Sequence, residues 1–237
     1  MKELSSPIKL IKESFNIFFE KKNLPYFMKV YAPLIPFQLF FLYQNYFVAT
    51  QSQALGVTDA TSVLNRYPWF LATVIAVNIV FVVVSFLVSM AGIKAINGVT
   101  GKKVLPLKEL FRTSLKRLWP FALLVVVLTL IEFGGLLLLI IPGILFAVWY
   151  GFAKFVLVTE GKGVRKSLAG SKKLVEGRFW KVFGRMAVFV LFALLIQMLF
   201  AVVPYGIGSL IAQLFEALIV LPSFLLYKEL AVKELKN

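Results

Sequence analysis

Four polar side chains stand inside long apolar stretches of this 237-residue chain: Asn78, Glu132, Lys154 and Glu216. An ionisable group in hydrocarbon is costly, and it marks a candidate site for an ion, a proton or a polar headgroup. At about 1.5 Å per helical residue, Glu132 lies roughly 14 Å from the outer end of its stretch. Lys154 and Glu216 lie roughly 17 Å from theirs, with Asn78 at a similar level. The stretches holding Glu132 and Lys154 are consecutive, which places the two charges to meet near mid-depth. Plainer roles exist for the same residues. A Glu–Lys pair fixes helix register, and Lys154 can reach back to the interface along its own stem. Gln197 and Gln213 are expected to bond between helices.

Other chemistry is absent by composition. With no His and no Cys, disulfides, thiol catalysis, the usual zinc sites and imidazole acid–base chemistry are excluded. There is no G-x-x-x-x-G-K-[ST] phosphate loop and no G-x-S-x-G elbow. Ser171 follows Gly170 but stands among lysines without a base, and Gly161-Lys162-Gly163 is a short basic turn. No catalytic residue, metal ligand set or cofactor site is expected, and the chain reads as a non-enzyme.

The elements that carry these residues follow from hydropathy. Of the residues, 60% are hydrophobic and 16% charged, with mean hydropathy +0.87; a soluble domain has about 45–50% and about 25%. That balance excludes an ordinary water-soluble enzyme, a disordered tail and a nucleic-acid-binding domain. A bilayer crossing takes about 20 apolar residues. Stretches of that kind occur at 24–48, 68–96, 119–141, 143–159, 181–203 and 205–227. Pro142-Gly143 and Pro204-Tyr205-Gly206 interrupt otherwise continuous apolar runs and are expected to form tight outer turns. Pro33 and Pro36 should kink the first span, and Pro222 the last. Ser85-x-x-x-Ser89, Ala91-x-x-x-Ala95 and Gly208-x-x-x-Ala212 are spacings that admit close helix contact.

The cations agree with six crossings. Of the 26 Lys and Arg, all except Arg66 and Lys154 fall in the amino-terminal 29 residues, in 94–117, in 162–185 or in the tail. Six crossings put all four segments on one side, which the positive-inside rule makes the cytoplasm, with both termini there. This bias also accounts for the net charge of +15 without nucleic acid. The outer side holds one polar loop of any length, 49–67, with Asp59 and Arg66.

Each basic segment has a helical hydrophobic stripe. In 7–20 it is Ile8, Ile11, Phe15, Phe18 and Phe19; in 106–118 it is Leu107, Leu110, Phe111, Leu115 and Leu118; in 164–176 it is Val164, Leu168, Leu174 and Val175. Lys108, Arg112 and Lys116 oppose the second stripe, and Arg165, Lys166, Lys172 and Lys173 belong to the third segment. Tyr26, Trp119 and Trp180 follow at the membrane entrances. The layout is a threefold unit: a basic amphipathic helix, a crossing out, a crossing back. Such helices either press on anionic lipid or form the floor of the bundle. Their cations, with Trp119 and Trp180, are the candidate lipid-interface residues.

The string Ile141-Pro142-Gly143, Val158-Thr159-Glu160-Gly161, Ser167-Leu168, Ser171, Leu174-Val175-Glu176-Gly177 and Trp180 resembles the membrane domain associated with bacterial glycerophosphodiester phosphodiesterases and related multi-pass proteins. The resemblance implies an all-helical membrane bundle. The family's hydrolase is a separate soluble domain holding His and acidic ligands, and a chain without His does not inherit that activity.

The sequence thus predicts an all-α polytopic membrane protein: one domain of six spans and three interfacial helices in the cytoplasmic membrane. Its expected role is to organise lipid or partner proteins at the cytoplasmic surface; the alternative is a small transporter or channel using the polar mid-depth residues. Expected partners are anionic membrane lipids, with a second copy or another membrane protein left open.

Overall fold

A computed structural model describes residues 4–138, 140–203 and 207–234. Among them the chain is all-helical, without strands. The amino-terminal part holds α1 (Pro7–Phe19), α2 (Asn23–Tyr31), a 3-10 turn (Ala32–Leu34), α3 (Ile35–Leu55) and α4 (Ala60–Arg66). Then come α5 (Pro68–Thr100), α6 (Leu107–Leu115), α7 (Leu118–Leu138), α8 (Ile140–Tyr150) and α9 (Ala153–Glu160). The chain continues through α10 (Val164–Val175), α11 (Phe179–Ala201), α12 (Ile207–Leu214) and α13 (Glu216–Glu234).

Five stretches are long and apolar enough to cross a bilayer: Pro68–Thr100, Leu118–Gly135, Ile141–Glu160, Phe179–Ala201 and Ile207–Glu234. Only 11% of the most apolar part of α5, and the same share of α11, is buried. Leu130, Phe133 and Leu137 of α7 and Leu195, Met198 and Leu199 of α11 are exposed. Water-soluble monomers rarely display apolar surface on this scale, whereas hydrocarbon solvates it. The architecture is that of a multi-pass membrane protein. The stretch 24–48 is not among the five. It is divided by the 3-10 turn, where Pro33 removes a backbone donor and Pro36 opens α3. Polar Gln38, Gln44 and Asn45 follow in α3.

Two expectations change. The reversal between α7 and α8 precedes Pro142, which lies in the first turn of α8, where a missing N–H leaves no bond unmade. The segment 49–67 is not a loop: α3 runs to Leu55, Gly56 closes it with φ 65°, and α4 follows. Asp59 caps α4, accepting from the Ser62 amide and hydroxyl, each at 2.7 Å. Pro222 lies inside α13, and the last stretch is also interrupted at Phe215. The turn at 204–206 lies outside the described residues.

One core joins the elements. Phe18 and Phe27 stack at 5.7 Å, and Phe121, Phe152 and Phe224 are fully enclosed. Helix α1 packs along α13, and the segment before it is tied down twice. The Arg185 guanidinium donates to the carbonyls of Ser5 and Leu4, both at 2.8 Å, and the Ser5 amide donates to Glu229 at 3.0 Å.

Candidate functional site

The walls of the principal cavity come from the apolar helices. It holds about 580 Å³ among α5, α7, α9, α11, α12 and α13, with Tyr31 of α2 also lining it. Phe81, Phe86, Phe121, Phe155 and Phe189 make it apolar; Lys154, Glu216, Gln213, Ser85, Ser89 and Ser223 add polar groups. Ser89 of α5 and Val190 of α11 line it and are themselves exposed, so it is open where they lie. Both stand well inside their apolar helices rather than at a helix end.

Lys154 and Glu216 both line this cavity. Each is half-buried, and the ammonium acts electrostatically on the carboxylate, with no ion pair within 4 Å between them among the described residues. Two helix interruptions put them there. Between α8 and α9 the ladder breaks at Gly151 and Phe152, and Ser171 of α10 fills the gap. Its hydroxyl donates to the Trp149 carbonyl at 2.7 Å and accepts from the Phe152 amide at 3.1 Å. Lys154 stands on the next turn. In the last stretch the break at Phe215 makes Glu216 the first residue of α13, where the positive end of the helix dipole favours a carboxylate. Near the other end of these helices the Tyr227 hydroxyl donates to Glu160 at 2.9 Å and shares a bond with Thr159 at 2.8 Å. Counting from that tie, Lys154 is about 9 Å and Glu216 about 16 Å along their helices.

The expected Glu132–Lys154 pair does not form. Glu132 is exposed on α7, and no ion pair joins it to Lys154 among the described residues. A hairpin makes two helices neighbours, but which faces meet depends on their rotation, and α7 turns Glu132 outward. Asn78 is likewise exposed and donates to the Val74 carbonyl of its own helix at 2.8 Å, so it does not reach the cavity. Gln213 bonds between helices, accepting from Gln38 at 3.3 Å, while Gln197 is exposed. Sequence reading overlooked Tyr31, whose ring lies against Gly92: a Cβ there would collide with the hydroxyl. The X-Gly of a buried Ala91-Gly92 face is the signal that was present.

All nine interface candidates are exposed: Lys108, Arg112, Lys116, Arg165, Lys166, Lys172, Lys173, Trp119 and Trp180. Three are also engaged within the protein. Trp180 stands edge-on to Phe179 at 5.4 Å and Phe183 at 5.9 Å. Lys172 lies over the Trp149 ring at 4.7 Å. Lys173 pairs with Glu234 at 2.7 Å, and this hydrogen bond raises its ammonium above the usual lysine range. At the other end of the molecule, the bonds from the Ser62 hydroxyl and amide hold Asp59 below the usual carboxylate range.

Among the described residues no cluster of three acidic side chains is arranged to hold a metal ion. No protein-family model, curated protein or solved structure matches this chain.

Proposed function

We propose that the chain is a non-enzymatic, six-span protein of the cytoplasmic membrane that organises lipid, holding an amphipathic lipid in the cavity and anionic lipid against its cytoplasmic face. The observation that carries this reading is the chemistry of the cavity: aromatic walls, a Lys154–Glu216 pole, and an opening on an apolar flank. An acyl chain matches the walls, a polar headgroup matches the pole, and lateral entry needs no passage through water.

A threefold interfacial unit is supported by a serine in each basic helix. Ser14, Ser114 and Ser171 are all fully buried. Ser14 and Ser114 each donate to a carbonyl four residues back at 2.8 Å, and Ser171 to Trp149. In every unit the small hydroxyl seats the helix closely on the bundle and leaves its cations outward. The family resemblance at 141–180 fits the same membrane role.

Photoreactive acyl-chain phospholipid in proteoliposomes tests the reading. Crosslinks are expected on α5 and α11 beside Ser89 and Val190, and Ala193→Trp, which fills the cavity, should abolish them. Labelling spread evenly over the apolar helices contradicts it. A transporter is the second reading, favoured by the charge pair on one cavity; solute flux that disappears in Glu216→Leu would replace lipid organisation with transport.

A further inference from the structure

A second charged cluster lies where the ends of α5, α6 and α9 converge. Lys94 of α5 is half-buried, and its ammonium donates to the Thr113 hydroxyl at 3.0 Å, leaving two donors. Arg117, in the link between α6 and α7, is also half-buried. Its guanidinium lies against Gly161, the left-handed residue closing α9, where a Cβ would come within 3.1 Å of Nη1. The two cations repel each other electrostatically. Neither has a carboxylate within 4 Å among the described residues, and the Arg117 side chain makes no hydrogen bond there. Glu160, next to Gly161, is occupied by Tyr227 and Lys162.

Holding two like charges together, partly out of water, is unfavourable without a counter-charge. The carbonyl end of α9 accounts for one cation at most. Exposed Arg112, Lys116 and Trp119 surround the pair, and an indole of that kind sits at headgroup level.

We propose that Lys94 and Arg117 bind the phosphate of an anionic phospholipid at the cytoplasmic rim. The guanidinium supplies a planar fork to two phosphate oxygens and Lys94 a point charge to a third. The site rests on this end of the bundle lying at the headgroups, but not on the cavity having an occupant.

Thermal unfolding of the full chain in detergent, with added short-chain lipids, tests it. Dioctanoyl phosphatidylglycerol is expected to raise Tm, and dioctanoyl phosphatidylcholine is not. Arg117→Gln, and independently Lys94→Gln on a different helix, should each raise the half-effective lipid concentration about tenfold, the weight of one charge-assisted bond. The exposed variant Arg66→Gln, on α4 and away from the cluster, should leave it unchanged. An Arg117-dependent rise with inorganic phosphate alone supports the oxyanion site and assigns it a soluble ligand. A rise that survives both site variants, or falls equally in Arg66→Gln, overturns the site.

Discussion

Glu132 and Glu216 look alike in the sequence, each an acid in an apolar run, yet one is exposed and the other faces Lys154 across a cavity. Hydropathy locates such residues along a helix but carries no information about rotation around it, so their depth was legible and their partners were not. The difference is measurable in unfolding free energies. Lys154→Met and Glu216→Gln should be non-additive, with a coupling of about 0.5–3 kcal/mol, whereas Lys154→Met and Glu132→Gln should add. The surface charges give a pH test of opposite signs. Lys173 is raised by Glu234, so its stabilisation is complete below the ordinary lysine value of 10.5 and disappears as pH rises through the folded value. Asp59 is lowered by Ser62, so its contribution is complete above 3.8 and disappears as pH falls through a lower value. The stability difference between wild type and Lys173→Met should be flat near neutrality and shrink above about pH 10.5. A difference that stays flat as pH rises well above that value contradicts the assignment.

Element boundaries were readable where proline or an apolar run marks them, as in α5, α7 and α11, and unreadable where a distant side chain completes the backbone. Nothing local announces the break before α9, because the group that satisfies it is Ser171, on another helix. The close contact of the α7–α8 hairpin was equally hidden. A Cβ on Gly135 would stand 2.9 Å from the Gly143 Cα and from the Phe146 ring, while one on Gly134 would meet nothing within 4 Å. Adjacent glycines therefore behave oppositely. Gly135→Ala should cost about 1–3 kcal/mol by overpacking, and Gly134→Ala should be neutral or slightly stabilising by helix propensity. Equal effects in a thermal unfolding assay would rule out backbone contact at Gly135.

At the scale of the molecule, the apolar exterior and the distribution of cations describe one object. The largely apolar flanks of α5, α7 and α11, broken by exposed Asn78, Glu132 and Gln197, suit surrounding hydrocarbon, and the six-span proposal gathers the basic segments at an anionic, watery boundary. Composition made the membrane class legible. It did not reveal the cavity, which is a property of several helices together, nor the division of 24–48 by the turn at Ala32–Leu34. The six-span proposal treats α3 as the first outward arm, with its polar face towards Gln213 through Gln38 at 3.3 Å. If that is right, α4 and the α7–α8 reversal share the outer side, and α6 and α10 the inner side. The chain has no cysteine, so single introduced thiols report sidedness without background. An impermeant maleimide applied to intact cells should label Ser62→Cys directly, and label Lys103→Cys and Lys172→Cys only after the membrane is opened. Labelling of Lys172→Cys in intact cells, or protection of Ser62→Cys, would show that the bundle is threaded some other way.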